Sequence, residues 1–141
     1  MKIRTYSDGG ARGNPGPGAI GVLIFGSEDE LILEHKDFIG NATNNIAEYC
    51  ALIAALSIAK ELGAREVESF LDSELVVRQM QGIYKVKEEH LRKLFQEVKL
   101  LEREFKKVSY QHVPRTHSRL QEADRLVNQA LDQAERFRRE T

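Results

Sequence analysis

Four carboxylates in this chain, Asp8, Glu48, Asp72 and Asp124, stand where an acid is awkward for a folded domain. Asp8 ends a strand-like run just before Gly9-Gly10, and Asp72 ends the apolar run from Val67 to Leu71. In open α/β sheets ligands gather at the carboxyl ends of strands. Each also has a plainer reading: an Asx turn before Gly9 for Asp8, and a helix N-cap ahead of Ser73-Glu74 for Asp72. Glu48 lies in a segment with apolar residues in nearly every helical direction, and at helical spacing it shares its face with Leu52, Ala55 and Ala59. A carboxylate there is strongly unfavourable unless it is paired, protonated or metal-bound. The alternative is a capping box, with Asn45 as N-cap and Glu48 at N3, which would also orient the side chain. Asp124 sits at the edge of the stripe Leu120, Ala123, Val127, Ala130, Leu131 and Ala134. It is either an inward-facing acid or a boundary carboxylate paired with a nearby base. If the four converge, their mutual repulsion needs a cation, which points to divalent-metal chemistry on phosphate esters.

The elements that must position these acids can be read from periodicity and punctuation. Residues 2–8, 19–25 and 31–39 read as three strands with short connections, an antiparallel meander. Between the first two lies a glycine-rich turn over residues 9–18, with five of the ten glycines. It lacks the Gly-Lys-Ser/Thr of a phosphate-binding P-loop. It is either a flexible hairpin connection or a set of backbone N–H groups, with Asn14, offered to a sugar-phosphate backbone. A long helix is predicted over 45–62, stopped by Gly63, then a strand over 67–71 and a short helix over 73–81, stopped by Gly82. A charged helix over 88–105 carries Leu91, Leu94, Phe95, Val98 and Leu101 on one stripe. A strand over 107–113 is stopped by Pro114, and a final helix covers 118–138. Three strands followed by alternating helices and strands predict an α/β architecture, a mixed sheet with helices on its faces.

Composition bounds the rest. The 141 residues are expected to form one domain, 1–141, and 41% apolar residues can supply its core. The formal net charge is −1, so no overall basic field exists and any nucleic-acid contact must be local. Cys50 is the only cysteine, which rules out an intrachain disulfide and favours an intracellular setting. Residues 1–7 lack an apolar signal-peptide core, and no apolar run approaches the ~20 residues of a membrane span. A soluble, cytoplasmic, monomeric protein without a membrane partner is expected.

Taken together, the motifs resemble type 1 ribonuclease H. The resemblance is carried by Tyr6-Ser-Asp8-Gly-Gly-Ala-Arg-Gly-Asn14-Pro-Gly-Pro-Gly18, by Thr43-Asn44-Asn45-Ile-Ala-Glu48, by Leu71-Asp72-Ser73 and by Glu122-Ala-Asp124-Arg-Leu-Val-Asn128. It covers nearly the whole chain and keeps the order of all four acids. It implies an RNase H-like fold, a five-stranded mixed sheet with its first three strands antiparallel, flanked by helices. It also implies an endonuclease that cuts the RNA strand of RNA–DNA hybrids, leaving 5′-phosphate and 3′-hydroxyl ends. Asp8, Glu48, Asp72 and Asp124 would hold two Mg²⁺ or Mn²⁺ ions. Gly9, Gly10, Arg12 and Gly13 of the turn, together with Glu48, would read the 2′-hydroxyl that separates RNA from DNA. Asn14, Asn44, Asn45 and Ser73 match nucleic-acid contacts, and Thr43 matches part of a DNA-phosphate pocket.

The chain departs from the best-known pattern in three places. Glu74 stands where a glutamine often contacts the hybrid. Residues 82–87 run quickly into the next helix, leaving no room for a basic protrusion. Lys85, Lys87, Arg92 and Lys93 would replace part of its charge or form a solvated face. The loop before Asp124, His112 to Arg119, is short. His117 is the expected catalytic histidine that assists product or proton release, with Arg115 second and a plain polar loop residue as the alternative. These traits are similar to compact archaeal and some bacterial members. Two other activities stay open: a broader RNase-H-fold nuclease that also cuts double-stranded RNA, and a catalytically weak hybrid-binding module.

Overall fold

The computed structural model describes residues 1–140. The described residues build strands β1 (Lys2–Ala11), β2 (Gly16–Phe25) and β3 (Leu31–Ala42), helix α1 (Asn44–Glu61), strand β4 (Glu66–Leu71) and helix α2 (Glu74–Met80). Helix α3 (Glu89–Glu102), strand β5 (Lys107–His112) and helix α4 (Ser118–Glu140) follow. The sheet order is β3-β2-β1-β4-β5. β1 pairs antiparallel with β2, and β2 with β3, while β1–β4 and β4–β5 are parallel. This is the mixed five-stranded sheet expected, with its first three strands antiparallel.

The glycine-rich segment is shorter as a turn than expected. β1 continues to Ala11 and β2 begins at Gly16, so residues 12–15 make the turn. Glycine has low strand propensity, yet the glycines outside the turn find cross-strand partners: Gly9 opposes Ile20, and Gly10 opposes Ala19. The absent side chains serve the helices instead. A Cβ on Gly9 would clash with the Ala47 carbonyl of α1, and one on Gly21 with the Ala123 carbonyl of α4. Glycine in a strand thus marks close backbone approach, once on each face of the sheet.

α1 covers one face. Its Leu52 and Leu56 are fully buried with Ile3, Val22, Ile24, Val67 and Leu71 of the strands. Burying each leucine is worth about 1.5–3 kcal/mol. The half-buried Ile46, Ile53 and Ile58 also join this core, which extends to Leu91 and Val98 of α3. That is why α1 is apolar nearly all round: it has the sheet on one side and a helix on the other. Leu94, Phe95 and Leu101 complete the α3 stripe. α3 ends at Glu102, before the expected 105, because Arg103, Glu104 and Phe105 donate to carbonyls three residues back and tighten the last turn. α4 covers the other face, where Leu120 and Leu126 pack with Tyr6, Leu23 and Phe25, and Val127, Ala130 and Leu131 pack with Ala19. α2 and α3 are joined directly across residues 81–88. Tyr49 Oη donates to Gln79 Oε1 at 2.6 Å, and Gln79 Nε2 donates to the Lys85 carbonyl at 3.5 Å, tying that connection to α1. No helix among the described residues is long and apolar enough to cross a membrane.

Candidate active site

β4 stops at Leu71, opposite Ser7, while β1 runs on. Beyond that level no strand among the described residues lies beside that edge of β1. Asp8 lies inside β1, paired with Gly21, and not at a strand end before an Asx turn as the spacing suggested. The backbone donors on the bare edge recur every second residue, and side chains take them. Gly9 N–H donates to Glu48 Oε1 at 2.5 Å, and Ala11 N–H to Asn44 Oδ1 at 2.9 Å. Asn14 Oδ1 in turn accepts from Asn44 N–H at 3.0 Å, folding the turn onto the start of α1. Only past the end of β4 can side chains from opposite faces meet, so Glu48 from α1 and Asp124 from α4 both reach the level of Asp8.

Two capping alternatives fall here. The N-cap of α1 is Thr43, whose Oγ1 accepts from Ile46 N–H at 3.2 Å, so Asn45 is not the cap and no capping box forms. Glu48 is drawn to Gly9 instead. Ser73 caps α2 through Val76 N–H at 3.2 Å, which relieves Asp72 of that role. Asp72 Oδ2 accepts from Arg115 Nε at 3.2 Å, and its carbonyl lies 3.2 Å from His112 Nε2.

Asp8, Glu48 and Asp72 can each offer an oxygen with all three atoms within 4.8 Å of one another. Burial, then the charges of Asp72 and Asp124, push the Asp8 carboxyl up from 3.8 to about 7, with Glu48 as an opposing hydrogen-bond partner. Glu48 is driven well above the carboxylate range by burial and by the charges of Asp8 and Asp72, against the pull of Gly9 N–H. Its Oε2 is buried without a hydrogen-bond partner among the described residues. An orphaned oxygen beside two further carboxylates fits a hard divalent cation, since Mg²⁺ and Mn²⁺ prefer oxygen donors. Asp124 is exposed and stands outside that trio, held by Asn128 Nδ2 at 3.3 Å rather than by a base. It still lines the same groove, with Asp8, Gly9, Gly10, Asn44, Asn45, Glu48, Asp72, Ser73 and Arg115.

The remaining expected site residues fall elsewhere. Arg12 turns toward α4, with Nη2 2.7 Å from Asp132 Oδ1 and 3.2 Å from Asn128 Oδ1, and Nη1 3.4 Å from Glu135 Oε2. Gly13 shapes the turn with a positive φ of 88°. Thr43 and Asn14 brace the entry to α1. His117 opens α4: its carbonyl accepts Gln121 N–H at 2.9 Å and its Nδ1 accepts Arg119 N–H at 3.2 Å. Its ring stacks on Tyr6 with centroids 5.4 Å apart, away from the groove lining. Arg115, in contrast, faces the groove.

Sequence reasoning missed the support beneath this loop. The Arg119 guanidinium lies 3.7 Å over the Phe25 ring and binds Asp29 through two bonds of 2.8 and 2.7 Å. Tyr6 is sandwiched between Phe70, at 4.8 Å, and His117. Tyr6 lies two residues before Asp8 on the same face, which is the only signal the sequence held for it.

A family model described as "Reverse transcriptase-like" matches residues 6–130. The chain is similar to the "Bifunctional protein Rv2228c" of Mycobacterium tuberculosis, at 46% identity over 95% of this chain and 36% of that protein. It thus spans about a third of the length of the first curated relatives it matches. It is 41% identical to "Ribonuclease HI" of Halobacterium salinarum, over 94% of this chain and 66% of that protein. The crystal structure of that archaeon's RNase H1 superposes with a TM-score of 0.90, at 39% identity, covering 94% of this chain and 99% of the other. LC11-RNase H1, solved in complex with an RNA/DNA hybrid, superposes at 0.87 with 44% identity, covering 94% and 98%.

Proposed function

The chain belongs to the type 1 ribonuclease H family, and on that premise we propose that it is a metal-dependent endonuclease hydrolysing the RNA strand of RNA–DNA hybrids, with 5′-phosphate and 3′-hydroxyl products. We read residues 1–141 as one such domain. The observation that carries the proposal is the trio Asp8, Glu48 and Asp72, two of them buried and the third partly so, whose oxygens come within 4.8 Å of one another, with Glu48 Oε2 unpartnered among the described residues. Like charges so close in a poorly solvated place are tolerated only with protons or a cation. The hybrid bound to a relative of the same fold supports the substrate class.

Asp8, Glu48, Asp72 and Asp124 would hold two Mg²⁺ or Mn²⁺ ions. Such ions supply positive charge to an attacking water and to a departing 3′ oxygen. The chain's own residues do the rest. Gly9 N–H fixes one Glu48 oxygen and leaves the other buried without a hydrogen-bond partner among the described residues. The backbone of Gly9 and Gly10, lacking side chains, lets a ribose approach the strand, where Glu48 meets the 2′-hydroxyl. Asn44, Asn45 and Ser73 present polar groups along the same groove, and Thr43 and Asn14 set the entry to α1 for a phosphate. Arg12 braces the turn through α4. Of the two loop candidates, Arg115 already faces the groove, so we assign it the contact with the scissile phosphate. His117 assists proton transfer only if it leaves its stack on Tyr6.

The test is cleavage of one matched sequence as hybrid, RNA duplex and DNA duplex, with Mg²⁺, with Mn²⁺ and with EDTA. Metal-dependent cutting of the hybrid's RNA strand is expected. Equal cutting of RNA duplex would move the chain to the broader nuclease class, and tight hybrid binding without cleavage to the binding-module class.

A further inference from the structure

Asp124 is the exposed member of the four acids, and it sits outside the tight trio. Its position depends on what grips its side chain. Asn128, one helical turn on, donates from Nδ2 to Asp124 Oδ2 at 3.3 Å and to the Asp124 carbonyl at 3.0 Å. The same amide's Oδ1 accepts from Arg12 Nη2 at 3.2 Å. Arg12 belongs to the turn between β1 and β2, and its guanidinium also binds Asp132 and Glu135. Asp124, Asn128 and Asp132 recur every fourth residue, so they form one ladder along α4. Only one amide orientation satisfies both ends: nitrogen toward the carboxylate, oxygen toward the guanidinium. The reverse would oppose acceptor to acceptor and donor to donor.

We propose that Asn128 is a positioning residue that, locked by Arg12, holds Asp124 toward Asp8 and so couples the glycine-rich turn to the fourth metal-binding acid. The proposal rests on the metal-dependent nuclease reading above. It gives Arg12 a second task besides shaping the turn: the segment that meets the substrate is joined through a single amide to a catalytic carboxylate. It also explains how an exposed aspartate on a solvated helix edge keeps a fixed direction without a base beside it.

The test uses the full chain with Asn128→Leu, which nearly keeps side-chain volume and removes all three hydrogen bonds, and Arg12→Ala, which changes no residue of α4 and frees Asp132 and Glu135 along with Asn128. Three quantities are read: Mn²⁺ binding to the substrate-free protein by titration calorimetry, kcat and KM on an RNA–DNA hybrid across a Mn²⁺ series, and Tm. Removing an outer partner of a metal ligand lowers affinity or activity by about 10–100-fold. Asn128→Leu should lose kcat in that range at low Mn²⁺, regain it at high Mn²⁺, keep KM, weaken calorimetric Mn²⁺ binding and leave Tm within about 2 °C. Arg12→Ala should show the same metal-rescued loss of kcat, and the double variant should lose no more kcat than Asn128→Leu alone. Unchanged kcat and Mn²⁺ affinity in Asn128→Leu would overturn the proposal. So would a loss of kcat that metal does not restore and that follows a fall in Tm, since Asn128 would then act only through the fold. If the wild-type chain cuts no hybrid, the nuclease reading fails, while the calorimetric comparison still decides whether Asn128 governs Asp124.

Discussion

Replacing Asp8 by Asn should stabilise the metal-free protein while abolishing cleavage. The side chain keeps its shape, but one negative charge leaves a trio of acids whose oxygens lie within 4.8 Å. The size of the effect follows from the carboxyl's rise from 3.8 to about 7. One unit corresponds to about 1.4 kcal/mol, so charging Asp8 in the fold opposes folding by up to about 4 kcal/mol. Relaxation of the groove lowers that, and a gain of about 2–4 kcal/mol is expected, roughly 5–15 °C in Tm. The direction with pH is fixed. The folded value lies above the unfolded one, so between about pH 4 and 7 the native state binds more protons than the unfolded chain. The wild type's proton-linked stability is therefore complete near pH 4 and lost as pH rises through about 7. The advantage of Asp8→Asn should be small at pH 4.5 and full at pH 8.5. Calorimetric melts in EDTA at pH 4.5, 6.5 and 8.5 read it directly. With saturating Mn²⁺ the gap should shrink or reverse, because only the wild type binds the ion tightly. A variant that melts no higher than wild type at pH 8.5 in EDTA, or a gap independent of pH, would refute the reasoning.

Three further outcomes are expected. Gly9→Ala would drive a Cβ into the Ala47 carbonyl and to 2.7 Å from the Glu48 backbone nitrogen, where ordinary contact begins near 3.4 Å, so α1 must retreat by more than an ångström. A misplacement of that size lowers kcat by about 100-fold; circular dichroism should show an intact fold, and near-normal turnover would count against the close approach. Arg115→Ala should cut kcat by about tenfold or more with little change in KM, as expected when a charge-assisted contact to the scissile phosphate goes; steady-state kinetics that match wild type would remove Arg115 from the groove chemistry. Tyr49→Phe leaves Gln79 Oε1 without its buried donor, which should destabilise the protein by about 1–3 kcal/mol in denaturant titration.

Much of the fold was readable because its elements announce themselves locally. α1 has apolar residues all round, and the structure supplies the reason in β1 on one side and α3 on the other. The α3 and α4 stripes and the stops at Gly63 and Gly82 follow from helix geometry alone. The glycine-rich segment was misjudged because strand pairing there is settled by partners, Ile20 and Ala19, and by helices that need the missing Cβ atoms. A capping box from Asn45 to Glu48 stayed open as an alternative because both Thr43 and Asn45 suit the cap position, and it fails because Gly9 claims Glu48. Asp8, Glu48 and Asp72 could be suspected from placement against apolar runs. Asn128 could not, since an asparagine on a solvated helix face looks like any other until Arg12 crosses from a turn 116 residues away. His117 illustrates the same limit: the family resemblance suggested it, but the rings of Tyr6 and Phe70 decide where it rests.

The bare edge of β1 carries one more consequence. A row of unpaired strand donors is a template on which another chain can pair, and here Glu48 and Asn44 occupy it like two rungs of a missing strand. Truncating Glu48 to disarm the proposed nuclease would therefore do two things at once, removing the acid and uncovering a sticky edge. Glu48→Gln keeps an amide oxygen for Gly9 and is the inert form to choose for trapping a substrate, whereas Glu48→Ala invites self-association that could be mistaken for a biological assembly.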